Sequence, residues 1–86
     1  MKNNNATGLM GYIETNYLRL VEVFGQPTLT DGDDKVTVEW RLKLEGHLVT
    51  IYDYKDPAPR NGKTFEWHIG GQKKAVVEIV RKLVEG

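Results

Sequence analysis

Apolar and polar residues alternate almost without a break from Lys35 to Tyr54. Val36, Val38, Trp40, Leu42 and Leu44 share one parity, while Lys35, Thr37, Glu39, Arg41 and Lys43 share the other. A period of two belongs to a strand with one buried and one wet face, because successive side chains leave the backbone in opposite directions. Glu45-Gly46 divides the stretch, and a two-residue turn there predicts a hairpin. Leu44 then faces His47, Leu42 faces Val49 and Trp40 faces Ile51 on the apolar side. The same pairing sets Arg41 beside Thr50, Glu39 beside Tyr52 and Thr37 beside Tyr54 on the polar side. Asp53 takes the apolar parity near Val38 and is expected at the edge of the core. A slip of one residue would exchange the two faces, so register and hydrophobic pattern test each other.

On either side of the hairpin the period lengthens. Tyr17, Leu20, Val21 and Phe24 follow the spacing of one helical face. Thr15 or Asn16 can cap that helix, Gly25 suits its left-handed end and Pro27 prevents its resumption. Before it, the stretch from Leu9 to Ile13 either adds a short strand or leads into the helix. After the hairpin, the loop from Asp56 to Lys63 returns the chain to a third strand, Thr64 to Ile69. There Phe65, Trp67 and Ile69 alternate with Thr64, Glu66 and His68. Gly70-Gly71 is expected to break this strand and open a helix from about Gln72 to Val84. Its apolar stripe would be Val76, Ile79, Val80 and Leu83, with Arg81 and Lys82 near the negative C-terminal end.

These elements predict an α+β domain: a three-stranded antiparallel sheet with two helices packed on one face, in the order α-β-β-β-α. Residues 1–10 read as a loosely ordered tail and residues 11–86 as one small domain.

Composition narrows the function classes. The chain has 86 residues, 40% hydrophobic and 28% charged, with no cysteine. That allows one core without disulfides, and homo-oligomer formation would bury further apolar surface. No apolar run is long enough to span a membrane, the start MKNNNATG lacks the apolar segment of a secretory signal, and the absence of cysteine fits a reducing cytosol. Net charge is zero, with five basic and eight acidic residues up to position 54 and seven and four beyond it. That mild polarity falls short of the basic stripe of a duplex binder, and neutrality counts against single-stranded nucleic acid as well.

Candidate chemistry is sparse. Asp31, Asp33 and Asp34 suggest a calcium loop, but Lys35 stands where a ligand oxygen is needed, so a solvated turn is the expectation. His47 and His68 have no second histidine or cysteine at ligand spacing, so neither a metal nor a cofactor is expected. No serine or cysteine nucleophile exists in the chain, so no enzyme activity and no catalytic residue is predicted.

Two constellations remain. Arg41, Tyr52 and Tyr54, with Lys55 and His68, bring aromatic rings and cations to the polar face of the sheet. Such a face can stack a base or anchor a protein interface, although tyrosine is also simply favoured on strands. At the strand-to-helix junction, Gly70, Gly71, Lys73 and Lys74 would offer close backbone and positive charge to a phosphate. Gly-Gly is equally what a sharp turn uses, and no complete phosphate-loop or dinucleotide motif is present.

Phe24-Gly25-x-Pro27, Glu39-Trp40, Ile51-Tyr52-Asp53-Tyr54-Lys55 and Trp67-His68-Ile69-Gly70-Gly71, taken together and in this order, resemble a family of small tailed-bacteriophage proteins. The resemblance runs from about Tyr12 to Gly71. It implies expression in the cytoplasm of an infected bacterium and a host-directed, counter-defence role, and it transfers no catalytic residue. The resulting expectation is a non-enzymatic protein that captures an acidic, nucleotide-like ligand. The alternatives are an inhibitor that covers a host enzyme with the same face, and a single-strand binder.

Overall fold

A computed structural model describes residues 7–30, 32 and 35–86. The acidic turn at Asp31, Asp33 and Asp34 and the first six residues of the expected tail lie outside the described residues. The element order is β1 (Gly8–Thr15), α1 (Tyr17–Phe24), β2 (Glu39–Leu44), β3 (His47–Tyr52), β4 (Phe65–Gly71) and α2 (Ala75–Glu85). The sheet therefore has four strands, not three, in the antiparallel order β1-β4-β3-β2. The additional strand, β1, begins inside the stretch read as tail. Its alternation is concealed by two glycines and by a register shift between Leu9 and Gly11, which puts an extra residue into the ladder.

The hairpin follows its pattern. Leu44 pairs with His47, Leu42 with Val49, Trp40 with Ile51, Arg41 with Thr50 and Glu39 with Tyr52. Glu45 and Gly46 both hold positive φ, 51° and 80°, the geometry whose twist matches the flanking strands. The ladder stops at Glu39–Tyr52, so Thr37 does not pair with Tyr54. Thr37 turns to Asp53 instead.

Asp53 is a correction to the sequence reading. It is not at the rim but fully buried, at 0% exposure. Its carboxylate accepts from the backbone N–H of Thr37 (2.8 Å), Val38 (3.1 Å) and Ala58 (3.0 Å), and from the Thr37 hydroxyl. Burial alone would push this carboxyl up. The Thr37 hydroxyl and the three N–H groups outweigh that and hold it below the ordinary carboxylate range. One carboxylate thus ties the approach to β2 to the loop after β3.

The helices flank the sheet, and the buried core joins Ile13, Trp40, Val49, Ile51, Trp67 and Ile69 of the strands to Leu20 of α1 and to Val76, Val80 and Val84 of α2. An isolated helix of eight residues is too short to persist in water. Here α1 is pinned at both ends. Asn16 caps it by accepting from the Arg19 N–H at 2.7 Å, and Gly25 closes it at φ 87°. The indole N–H of Trp67 donates to the Thr15 carbonyl at 3.1 Å and that of Trp40 to the Gly25 carbonyl at 2.9 Å.

In α2 the buried line is Val76, Val80 and Val84, with Leu83 turned out at 45% exposure, contrary to the expected stripe. The helix also starts three residues later than expected. Gly70 and Gly71 do not break β4 but lie within it, both buried, paired to β1 and to β3. Gly71 is glycine for space: a Cβ there would come within 2.8 Å of Val76 Cγ2 and 3.3 Å of the Leu48 carbonyl oxygen.

Candidate functional site

The face opposite the tryptophans presents a grid of side chains fixed by the register. One row runs Tyr12, His68, Tyr52, Glu39 across all four strands. The next runs Leu9, Gly70, Thr50, Arg41. At one end, Glu14 pairs with Glu66 across β1 and β4, and at the other, Lys43 pairs with Leu48 across β2 and β3.

His68 is the hub. Its ring lies 4.9 Å from that of Tyr12, edge-on, 5.3 Å from Tyr52, stacked, and 5.6 Å from Tyr54. The Lys55 ammonium stands 5.5 Å above the centre of the Tyr54 ring. Lys55 is held there by an unusual backbone, φ 69°, and its N–H donates to the Lys35 carbonyl at 2.7 Å. Tyr12 and Tyr54 remain 40% and 39% exposed, and Leu9 beside them 48%. Burial, reinforced by Glu39 and by the phenols of Tyr12 and Tyr54, pushes the Tyr52 phenol above its ordinary value, so it stays a protonated donor at neutral pH. Beneath the rings, Nδ1 of His68 and the hydroxyl of Thr50 are buried without a hydrogen-bond partner among the described residues.

Of the nine residues singled out from the sequence, the structure brings Tyr52, Tyr54, His68 and Lys55 together. Arg41 adjoins them but is committed to Glu39, with Nε 2.6 Å from its carboxylate. Gly70 lies in the next row of this face, where a methyl group would collide with the Thr50 hydroxyl. Gly71 looks to the opposite side, against Val76. Lys73 and Lys74 are exposed just before α2, where their carbonyls accept from the N–H groups of Val76 and Val77. The glycines and the lysines therefore do not form one cradle at a helix start, because β4 runs through Gly71 before the chain turns. Tyr12 is the member that sequence reasoning missed. Its signal was the alternation of Tyr12 and Glu14 with Ile13 and Thr15, hidden by the irregularity before it.

Beside the ring cluster, a cavity of about 340 Å³ is lined by Tyr12, Glu14, Glu66, Arg81 and Glu85. Three carboxylates against one guanidinium make it a poor receptor for a phosphate. Arg81 also donates to the Tyr12 carbonyl at 3.3 Å. Among the described residues no group of three or more His, Asp or Glu side chains is placed to hold a metal ion, and no helix is long and apolar enough to cross a membrane.

Comparison with protein-family models, with curated proteins and with solved structures found no match.

Proposed function

We propose that the chain is a non-enzymatic binding protein whose working surface is the Tyr12–His68–Tyr52–Tyr54 face and whose target is another protein. With both helices taken as covering the tryptophan side, this is the side of the sheet left to a partner. The observation that carries the reading is the cluster of three tyrosines around His68, two of them well exposed, laid out as a surface. Rigid aromatic rings with polar tips are the usual anchors of protein interfaces. The buried Nδ1 of His68 has no hydrogen-bond partner among the described residues, so no carboxylate there orients the ring as a base, in keeping with a binding role. The resemblance of the Phe24-Gly25-x-Pro27, Glu39-Trp40 and Trp67-x-Ile69-Gly70-Gly71 segments to phage proteins supports a bacterial host protein as that target, in the cytoplasm of an infected cell.

The double variant Tyr12→Ala/Tyr54→Ala tests it. Wild-type protein should retain a stoichiometric partner from bacterial lysate, and the variant, folded by circular dichroism, should lose it. Equal retention by both proteins discards the reading.

Capture of an acidic, nucleotide-like ligand is the second reading, favoured by the Lys55 ammonium above an exposed Tyr54 ring. It predicts heat on titration with nucleotides, abolished by Lys55→Ala, and no dependence on a protein partner.

A further inference from the structure

The same face carries a charge pattern complementary to itself. Glu14 and Glu66 stand directly opposite one another on β1 and β4, and neither has an ion-pair partner among the described residues. Like charges in direct cross-strand register are destabilising, and with Glu85 nearby this corner sets three carboxylates against the one guanidinium of Arg81. The diagonally opposite corner, on β2, carries Arg41 and Lys43. Lys43 likewise has no ion-pair partner among the described residues, and Arg41 keeps its side chain 61% exposed while touching Glu39. Between the corners lie Leu9, Tyr12, Tyr52, Tyr54 and the flat strip at Gly70.

We infer that, in the absence of a target, a second copy of this chain covers the face, with Glu14 and Glu66 of each copy meeting Arg41 and Lys43 of the other. This rests on the reading of the face as protein-binding and names its first occupant. The geometry closes. A two-fold axis lying in the interface, along the diagonal that joins the Leu9 corner to the Tyr54 corner, exchanges the acidic corner with the basic one. It also turns the strands of the two copies to near right angles, one of the two preferred ways for sheets to stack. On the grid of strand spacing (about 4.8 Å) and of alternate residues along a strand (about 6.8 Å), that operation brings Tyr52 close to its own copy. It lays Leu9 over the strip at Gly70. Both corners are satisfied twice in one closed pair, and Arg41 and Lys43 of the other copy add to the single guanidinium, Arg81, that faces Glu14, Glu66 and Glu85 in the isolated chain.

Sedimentation of the full chain from micromolar to millimolar concentration tests this, with two charge-reversal variants checked for fold by circular dichroism. Wild type should pass from monomer to dimer, more weakly at high salt. Arg41→Glu/Lys43→Glu and Glu14→Lys/Glu66→Lys should each raise the dimer dissociation constant by at least about tenfold, because each sets like charges corner to corner. An equimolar mixture of the two variants should recover a one-to-one dimer, since one copy is then acidic at both corners and the other basic. A monomeric wild type, a dimer that persists in either variant, or a mixture that stays monomeric overturns the inference. If wild type is monomeric yet loses its lysate partner on Tyr12→Ala/Tyr54→Ala, the self-pairing alone falls. If the mixed variants pair but no foreign partner is retained, the host target alone falls.

Discussion

On the tryptophan face, the indole N–H groups of Trp40 and Trp67 reach backbone carbonyls and Asp53 accepts four hydrogen bonds. On the tyrosine face, His68 Nδ1 and the Thr50 hydroxyl are buried with no partner among the described residues, and Glu14 confronts Glu66. Both faces belong to the same four strands, so backbone geometry does not explain the contrast. A buried polar atom without a partner costs on the order of 1–3 kcal/mol. A fold that completes one face so thoroughly and carries that cost on the other has the asymmetry expected of the binding surface proposed above.

Mutation can break this contrast or sharpen it. The largest effect belongs to the complete face. Trp67→Ala, at a residue with no exposed surface, should lower unfolding free energy by about 4 kcal/mol, read from the urea midpoint. If it costs no more than a change on the tyrosine face, the contrast is gone.

Next is Asp53→Ala, which strands three backbone N–H groups and should cost about 3 kcal/mol. Because the folded carboxyl is held below its ordinary 3.8, the stabilisation it supplies is complete above that value. It drains away as pH falls through the depressed folded value. Unfolding curves taken from neutral to strongly acidic solution should therefore converge for wild type and Asp53→Ala at the acid end. Curves that stay parallel would remove Asp53 as the titrating group.

Tyr54→Ala probes the other side. With the ring more than a third exposed, stability should change by no more than about 1 kcal/mol while partner binding is lost. The reverse outcome, large destabilisation with binding intact, would make Tyr54 a core residue in disguise. The smallest effect is expected at the hairpin turn. Glu45 holds φ 51°, a region asparagine accepts more readily, so Glu45→Asn should add about 0.5 kcal/mol without touching either face.

The legible part of this chain is the part where one physical rule acts alone. Between Glu39 and Tyr52 the alternation and the turn both point to one register, and the structure has it. Likewise Asn16 and Gly25 mark the ends of α1 because caps are local chemistry. Legibility fails where a long-range contact overrides the local signal. Gly70-Gly71 carries the local signature of a break, yet two neighbouring strands hold it in the sheet and Val76 needs the space above it. β1 was legible only as an alternative, a short strand from Leu9 to Ile13, because its ladder contains an irregularity, and with it went Tyr12, the third tyrosine around His68. Asp53 was placed on the correct face but at the wrong depth, since no pattern announces that Thr37 and Ala58 will close over it.

The margins of the sheet carry one more consequence. Outside β2, the Leu29 N–H and carbonyl exchange bonds with Glu39 at 3.0 and 2.9 Å, and Thr28 accepts from the Arg41 N–H at 2.9 Å. Arg60 clips this strap in place through the Thr30 carbonyl at 2.7 Å. The strap covers the Glu39 and Arg41 end of the β2 margin and so shortens the edge on which a further strand could add. The free length of that edge is then only a few residues at the hairpin end, too short for edge-to-edge stacking of copies to gain much, so this chain, for all its strand content, is poorly equipped to seed a fibre.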